Sequence, residues 1–278
     1  MKSPRASRRM ASCLSKPGAK PSLPQGPGWE GRKLCARARA PRPPCRAAAF
    51  APPSRACMPD AWLAALWVGI LLGGLAVAAA LGALGLKKTH VRDVLHVGAG
   101  VWPLGWPFWH SALLPMALVL VSLLAMAALP LAARRVHFLG RVVASVSGPE
   151  ERWSGLVLYT LSVAVLTGVG LTGRAFPAAA ALLALALGDG LGGALGLRLG
   201  RHRFRVPGGK KKSLEGSLGV ALFSTLGVLL AARWFSVSLG PWVAALAGVV
   251  AALAEALSPR TTDNLVVPAC VWAFLQAL

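Results

Sequence analysis

The chain has 278 residues, 55% of them hydrophobic and only 14% charged, and its mean hydropathy is +0.60. This balance excludes an ordinary soluble globular domain and is typical of a protein that crosses a membrane several times. The net charge of +21 divides between residues 1–57 and short loops beside apolar segments, a distribution typical of membrane topology, so we expect no nucleic-acid partner.

Residues 1–57 are rich in Pro, Arg, Ala and Ser and contain a single acid, Glu30. Without an apolar period they cannot bury a core, which predicts a disordered basic leader. An organelle transit peptide has a similar composition. We favour a third interpretation, in which translation starts at Met58, because so basic a tail would oppose the membrane orientation that the later loops predict. Residues 58–278 then form one transmembrane domain.

Eight apolar segments follow, and they predict an all-α bundle with about seven or eight membrane segments. A full span needs about 20 residues, so the second and the last segments are short. The second also contains Pro103 and Pro107, which break helical hydrogen bonding and predict a partial or re-entrant element. The segments lie at about 61–86, 94–109, 111–133, 154–173, 176–197, 214–232, 239–257 and 264–278.

The basic residues predict the topology. They fall in alternate loops, whereas the opposite loops retain only Arg174 and Arg233. Since basic loops remain in the cytoplasm, we predict a multi-pass protein of the plasma or inner membrane whose basic loops all face the cytoplasm. The basic loops contain Lys87, Lys88 and Arg92, then Arg134, Arg135, Arg141 and Arg152, then Arg198, Arg201, Arg203, Arg205 and Lys210 to Lys212, and finally Arg260.

Residues 187–219 form a cationic hairpin between two apolar segments, with Asp189 at its start. A charge inside an apolar span costs roughly 2.5–3.5 kcal/mol on insertion scales, so helix packing alone does not account for Asp189. On a helix its carboxylate shares a face with Gly193 and Gly196 and overlooks a groove without side chains. We therefore take Asp189 as a candidate ligand for a divalent cation.

The glycines of this stretch allow two other interpretations. Gly188, Gly190 and Gly193 match a dinucleotide-binding pattern, but they follow a membrane-length helix rather than a strand, so we discount it. Glycines four residues apart instead favour close packing of membrane helices. That packing pattern consists of Gly192, Gly196 and Gly200.

Lys212 and Ser213 directly precede an apolar segment whose first turn contains Glu215, Gly216 and Ser217. The free N–H groups of a helix N-terminus attract anions, and a lysine before it strengthens a phosphate site. Glu215 is equally explained as an acid that interacts with the helix dipole. We expect the neighbouring Lys210 and Lys211 to be solvated loop residues.

Further polar residues are predicted on the same side of the membrane. Arg92 and His96 share a helix face, although a lone His at an interface is usually only a hydrogen-bonded residue. Glu255 lies late in the seventh segment, and Asp263 and Asn264 begin the eighth. Asp263 could be a simple N-cap. Converging carboxylates and cations are the usual components of a site for Mg2+ and a nucleotide.

These residues resemble the CTP-dependent polyprenol kinase family, which includes phytol and dolichol kinases and is related to CDP-diacylglycerol synthase. The resemblance extends from about residue 90 to the C-terminus, and Asp93 stands where the family's first element usually has a lysine. It rests on Gly188-Asp189-Gly190, Arg198 with Gly196 to Gly200, Lys212-Ser213 with Glu215-Gly216-Ser217, Asp263-Asn264 with Pro268, and Arg92 with His96.

The resemblance implies a membrane kinase that uses CTP and Mg2+ to phosphorylate an isoprenoid alcohol at the cytoplasmic face of the bilayer. Asp189 and Asp263 would hold Mg2+, and His96 and Arg92 would act on the alcohol. The remaining motif residues would bind the nucleotide, with its phosphates on Lys212, Ser213 and Arg198.

Two alternatives stay open. One is a CDP-lipid synthase related to phosphatidate cytidylyltransferase, but Gly188 replaces the serine that usually precedes its first aspartate, and residues 255–263 contain no lysine. The other is a membrane transporter or scaffold, for which we find no internal repeat.

Overall fold

The computed structural model describes residues 59–147, 153–206, 211–259 and 261–278. The predictions for residues 1–57 and for a start at Met58 lie outside these ranges, as do Arg152, Lys210 and Arg260 of the predicted basic loops. The helices are α1 (Asp60–Ala83), α2 (Lys88–Ala99), α3 (Leu113–Ala132), α4 (His137–Val146), α5 (Trp153–Leu171), α6 (Ala175–Leu187), α7 (Gly193–Leu199), α8 (Leu214–Trp234), α9 (Pro241–Leu257) and α10 (Asp263–Gln276).

The predicted all-α polytopic bundle is confirmed. By length and composition, five helices in the described ranges can cross a membrane: α1, α3, α5, the continuous 25-residue unit from α6 to α7, and α8. Two of the predicted segments are shorter helices, the 17-residue α9 and the 14-residue α10. The long apolar runs fold as helices because a backbone in lipid must satisfy its hydrogen bonds within its own segment.

The second predicted segment is a broken element, as its prolines indicate. It consists of α2 and the 3-10 segment Trp102–Phe108, which contains Pro103 and Pro107. The backbone N–H groups of His110 and Ser111 then donate to the Asp60 carboxylate at 2.9 and 3.1 Å. The broken element therefore brings the chain back to the end of the bundle where α1 begins.

Helix α4 was not predicted, because we treated residues 134–152 as a basic loop. Its ten residues are too few to cross a membrane, and the apolar residues occupy only one face of the helix. Val142 and Val146 on that face are buried, and the Ser145 side chain lies against Gly82 of α1. Helix α4 therefore packs beside α1 instead of forming an extended loop.

Helix α6 is the centre of the bundle. Its residues from Ala178 to Ala186 are at most 2% exposed, and α5, α8 and α10 all contact it. Small alanine side chains let these three neighbours approach closely. The helix continues through a π-helical turn, Gly188–Gly192, into α7. This turn contains Asp189.

A row of glycines four residues apart packs the π turn and α7 against α8. A Cβ on Gly192 would lie 2.7 Å from the Val220 Cα, and a Cβ on Gly196 would lie 2.9 Å from the Gly216 Cα. Gly200 lies against Ser213 in the same way. The glycine row therefore has the packing role that the sequence predicted. This close packing holds Asp189 beside the start of α8.

A short antiparallel hairpin joins α7 to α8. Strand β1 (Arg203–Arg205) pairs with β2 (Lys211–Ser213), with Arg203 opposite Ser213 and Phe204 opposite Lys212. The sequence predicted a hairpin here but no strands, because three-residue strands carry no alternating pattern of their own. The hairpin leads Lys212 and Ser213 directly into α8.

The glycine row makes a testable prediction. Replacing Gly192 with Ala forces a methyl group against the α8 backbone, and overpacking of this kind typically costs about 1–3 kcal/mol. We expect Gly192→Ala to lower the thermal unfolding midpoint of the detergent-solubilised protein. Gly193→Ala is the matched control, because a Cβ added there has no described atom within 4 Å apart from those of its own stretch of helix. An equal loss of stability in both variants would contradict the assigned packing.

Candidate active site

A cavity of about 350 Å³ lies at one end of the bundle, where several helices begin or end. Its walls come from α2, the π turn, α7, the hairpin, the first turn of α8, the last turns of α9 and the start of α10. The chain therefore assembles this cavity from segments that are far apart in sequence.

Three carboxylates meet in the cavity. Each of Asp189, Glu255 and Asp263 offers an oxygen atom, and these atoms all lie within 4.8 Å of one another. Two unit charges 4 Å apart repel by about 4 kcal/mol at an effective dielectric constant near 20. Carboxylate oxygens in such a cluster are the ligands that Mg2+ and Ca2+ prefer, so the donor set fits a hard divalent cation.

Cationic side chains surround the carboxylates. The Lys212 ammonium forms an ion pair with the Glu255 carboxylate, which is only 6% exposed. Arg92 of α2 and Arg203 and Lys211 of the hairpin also line the cavity. The cavity thus combines a site for a metal ion with side chains that can neutralise phosphate oxygens.

His96, which was predicted to act on the alcohol, is not among the described residues that line the cavity; it is 3% exposed and lies beside Asp189. Its Nε2 atom is 3.7 Å from Asp189 Oδ2, beyond hydrogen-bonding distance, and has no hydrogen-bond partner among the described residues. Tyr159 fixes this part of α2, because its ring packs on the imidazole at 3.9 Å and its hydroxyl donates to the His96 carbonyl at 3.0 Å. A buried polar atom therefore faces the acidic cluster with its hydrogen-bonding capacity unused.

The start of α8 forms another wall. Ser213 is the N-cap residue, and its Oγ accepts a hydrogen bond from the Gly216 backbone N–H at 3.1 Å. Ser213, Gly216 and Ser217 all line the cavity, and the buried Ser217 Oγ has no hydrogen-bond partner in the described part of the chain. The 21-residue helix α8 thus directs its positive N-terminal end and the Ser217 hydroxyl group at the cavity.

Some residues expected to bind the nucleotide lie elsewhere. The described cavity lining does not include Arg198 or Glu215. Glu215 instead accepts hydrogen bonds from the backbone N–H groups of Arg201 and His202, and its Oε1 lies 2.7 Å from His202 Nδ1. In the described structure the Glu215 carboxylate thus stabilises the turn before β1, and its assignment to the nucleotide stays a prediction.

Asn264 and three of the predicted glycines also lie outside the described lining. The Asn264 side chain is buried, and its Nδ2 donates to the Gly155 carbonyl at 2.9 Å, which ties α10 to α5. The glycines are held in helix contacts: Gly188 lies against Ser224, Gly190 against Val97 and Gly200 against Ser213. These residues stabilise the packing of the segments that form the cavity walls.

Sequence reasoning assigned no site role to four charged residues of the cavity, Asp93, Glu255, Arg203 and Lys211. Glu255 was noted but not assigned, although an acid within an apolar 17-residue helix is a signal in itself. Arg203 was counted only as a basic loop residue, and Lys211 was expected to be a solvated one. Both line the cavity because the hairpin folds back over it, which no local pattern predicts.

The fold and the cavity define an integral-membrane protein with a charged, metal-competent site at the ends of its helices. A comparison with curated proteins identifies the family. The chain is 31% identical over 219 residues to the phytol kinase of Synechocystis sp., an alignment that covers 74% of this chain and 88% of that protein. No protein-family model and no solved structure gives a significant match.

The chain belongs to the phytol and polyprenol kinase family, as its motifs indicate. It is therefore a phosphotransferase that acts on an alcohol acceptor, and membership of a kinase family implies a nucleotide as the phosphate donor. The five apolar helices agree with an integral membrane enzyme.

Arg203 provides a test of the hairpin's role. If the hairpin binds the donor phosphates, loss of one of its cations should raise the KM for the nucleotide about threefold to tenfold, since a charge-assisted contact at an exposed site contributes about 1 kcal/mol. We expect this effect for Arg203→Ala in steady-state kinetics. Arg205→Ala is the control, because Arg205 lies on the same strand and is not part of the described lining. The assignment fails if both variants change the KM equally.

Proposed function

We propose that the protein transfers the γ-phosphoryl group of CTP to the hydroxyl group of an isoprenoid alcohol of the phytol or polyprenol type, with Mg2+, at the cytoplasmic face of the membrane. One observation carries the proposal: three carboxylates and Lys212 meet in one cavity at the end of a membrane bundle. Family membership supplies the reaction class, and the motif resemblance supplies CTP.

The location of the cavity suits these two substrates. An isoprenoid alcohol stays in the bilayer because burial of each CH2 group contributes about 0.8 kcal/mol, whereas CTP is confined to water by its charge. The two reactants can meet only where the spans end. The cavity lies at such a position, between α7, α8, α9 and α10.

Asp189 and Asp263 would hold Mg2+ in this site. The fit rests on their oxygen donors and on the unsatisfied His96 Nε2 beside them. When bound, the ion neutralises charge on the phosphate oxygens of the donor. The remaining requirement of phosphoryl transfer is an in-line arrangement of alcohol and nucleotide, which the side chains must supply.

The cationic wall would bind the nucleotide phosphates. Lys212 and Ser213 lie at the start of α8, where free N–H groups also favour anions. Arg203 and Lys211 take the place that we first assigned to Arg198, since they line the cavity and Arg198 is not among its described lining residues. The phosphate chain would therefore lie along the hairpin and the first turn of α8.

The alcohol would lie on the opposite side, against α2. His96 Nε2 faces the acidic cluster and can accept a hydrogen bond from the alcohol hydroxyl, which orients its oxygen towards the γ-phosphorus. Arg92 lies one helical turn before His96 and lines the cavity, so it can stabilise the transferred phosphoryl group. Attack of the alcohol oxygen forms the new O–P bond, the bond between the γ-phosphorus and the β-phosphate oxygen breaks, and CDP leaves with that electron pair, while the hydroxyl proton passes through His96 Nε2 to water.

The central test is a product assay. Purified protein with CTP, Mg2+ and phytol should form phytyl phosphate and CDP, and Asp189→Asn should reduce the rate at least about 1000-fold, since it removes a charged ligand of the metal. Asp60→Asn is the matched control, because Asp60 contacts His110 at the opposite end of the bundle. It should retain the wild-type rate.

Two results would contradict the proposal. Pyrophosphate in place of CDP would identify a cytidylyltransferase, and full activity of the Asp189→Asn variant would remove the metal assignment. A panel of nucleotides and of alcohols of different chain lengths would then define the donor base and the acceptor.

The cytoplasmic location of the site has its own test. We expect a cysteine replacing Arg205, in a background without native cysteines, to react with an impermeant maleimide only from the cytoplasmic side. A cysteine replacing Ser236, in the turn between α8 and α9, should react only from the other side, because α8 crosses the membrane between them. The reverse pattern of labelling would place the cavity on the non-cytoplasmic face.

A further inference from the structure

Glu255 takes part in two arrangements at once. Its carboxylate forms an ion pair with the Lys212 ammonium, and it also offers an oxygen within 4.8 Å of those of Asp189 and Asp263. The same carboxylate is thus a partner for a phosphate-binding lysine and a third member of the acidic cluster.

Glu255 is a buried charge at the end of an apolar helix. It lies in the last turn of the apolar helix α9 and is 6% exposed, so water does not solvate its charge. A carboxylate buried in this way requires cations around it. Lys212 and other cationic side chains of the cavity supply positive charge, but the oxygens of the three carboxylates still lie within 4.8 Å of one another. A divalent cation bound among these oxygens would relieve their repulsion.

His96 provides an independent indication of a ligand. Its imidazole is 3% exposed, and the Nε2 atom points at Asp189 from 3.7 Å without a hydrogen-bond partner among the described residues. Buried polar groups are normally satisfied. An unsatisfied nitrogen at the edge of the acidic cluster indicates that the cluster is completed by a molecule or ion that binds there.

We propose that Glu255 is the third carboxylate ligand of the divalent cation and that it exchanges Lys212 for this cation. Before the cation binds, Lys212 occupies the Glu255 carboxylate. When the cation binds, Glu255 turns to it, and the released Lys212 ammonium becomes available for the nucleotide phosphates. Metal binding thereby prepares the lysine that the nucleotide needs.

This inference rests on the cation site of the proposed function, but it is independent of the alcohol and of the nucleotide base. It makes Lys212 a competitor of the cation in the absence of nucleotide. Removal of Lys212 should then strengthen cation binding, and removal of the Glu255 charge should weaken it. A Glu255 that served only as a counterion of Lys212 would give a different pattern.

The test measures Mn2+ binding to the purified full-length protein by electron paramagnetic resonance, without nucleotide. Glu255→Gln should weaken Mn2+ binding at least tenfold, and Lys212→Met should strengthen it about threefold or more. In the double variant the effect of Lys212→Met should vanish, because the exchange requires both partners. Asp60→Asn should bind Mn2+ like the wild type.

The outcomes separate this inference from the proposed function. If the wild-type protein binds no Mn2+, the cation site of the proposed function fails. If Asp189→Asn abolishes binding while Glu255→Gln leaves it unchanged, only the role of Glu255 is overturned. An equal effect of Lys212→Met with and without Glu255 would overturn the exchange. Should Glu255→Gln fail to fold, unchanged affinity in Lys212→Met would still contradict the proposal.

Discussion

The repulsion between three carboxylates at the end of a membrane bundle is the constraint on which the rest of this structure depends. Asp189, Glu255 and Asp263 are placed by three different helical segments, so their like charges meet only when the bundle folds. The surrounding fold must therefore deliver positive charge to a place where lipid offers none and water has limited access.

The hairpin between α7 and α8 provides much of this positive charge. Its strand pairing brings Arg203 close to Lys211 and Lys212 at the cavity, and the N-terminus of α8 adds its partial positive charge. The same groups that neutralise the carboxylate cluster would suit the phosphates of a nucleotide. In the proposed function, one set of cations thus serves both the stability of the bundle and the binding of a substrate.

Much of this organisation could be predicted from the sequence. Long apolar runs determined the helices, and prolines indicated the broken second segment. Asp189 and Lys212 were singled out because a charge beside or within an apolar segment is costly unless it has a function. Both residues line the same cavity, although their roles in catalysis are still predictions.

What the sequence could not provide was the pairing between distant segments. Glu255 contacts Lys212 across 43 positions of the chain, and no periodicity encodes that contact. Glu215 was expected at the nucleotide, but its contacts with the residues before β1 depend on how the hairpin folds, which no local pattern shows. Helix α4 was not predicted because its apolar face is buried by packing against α1, a contact between distant segments.

The π-helical turn at Gly188–Gly192 has a geometric effect on helix pairing. In a regular α-helix, residues four apart drift around the axis by about 40° at each step, so a long row of them winds away from a straight neighbour. A π turn holds more residues per turn and reduces this drift. The π turn lies between Gly188 and Gly192, which both contact α8, so it keeps these two glycines on one face, and deleting a residue from it would rotate α7 relative to α8.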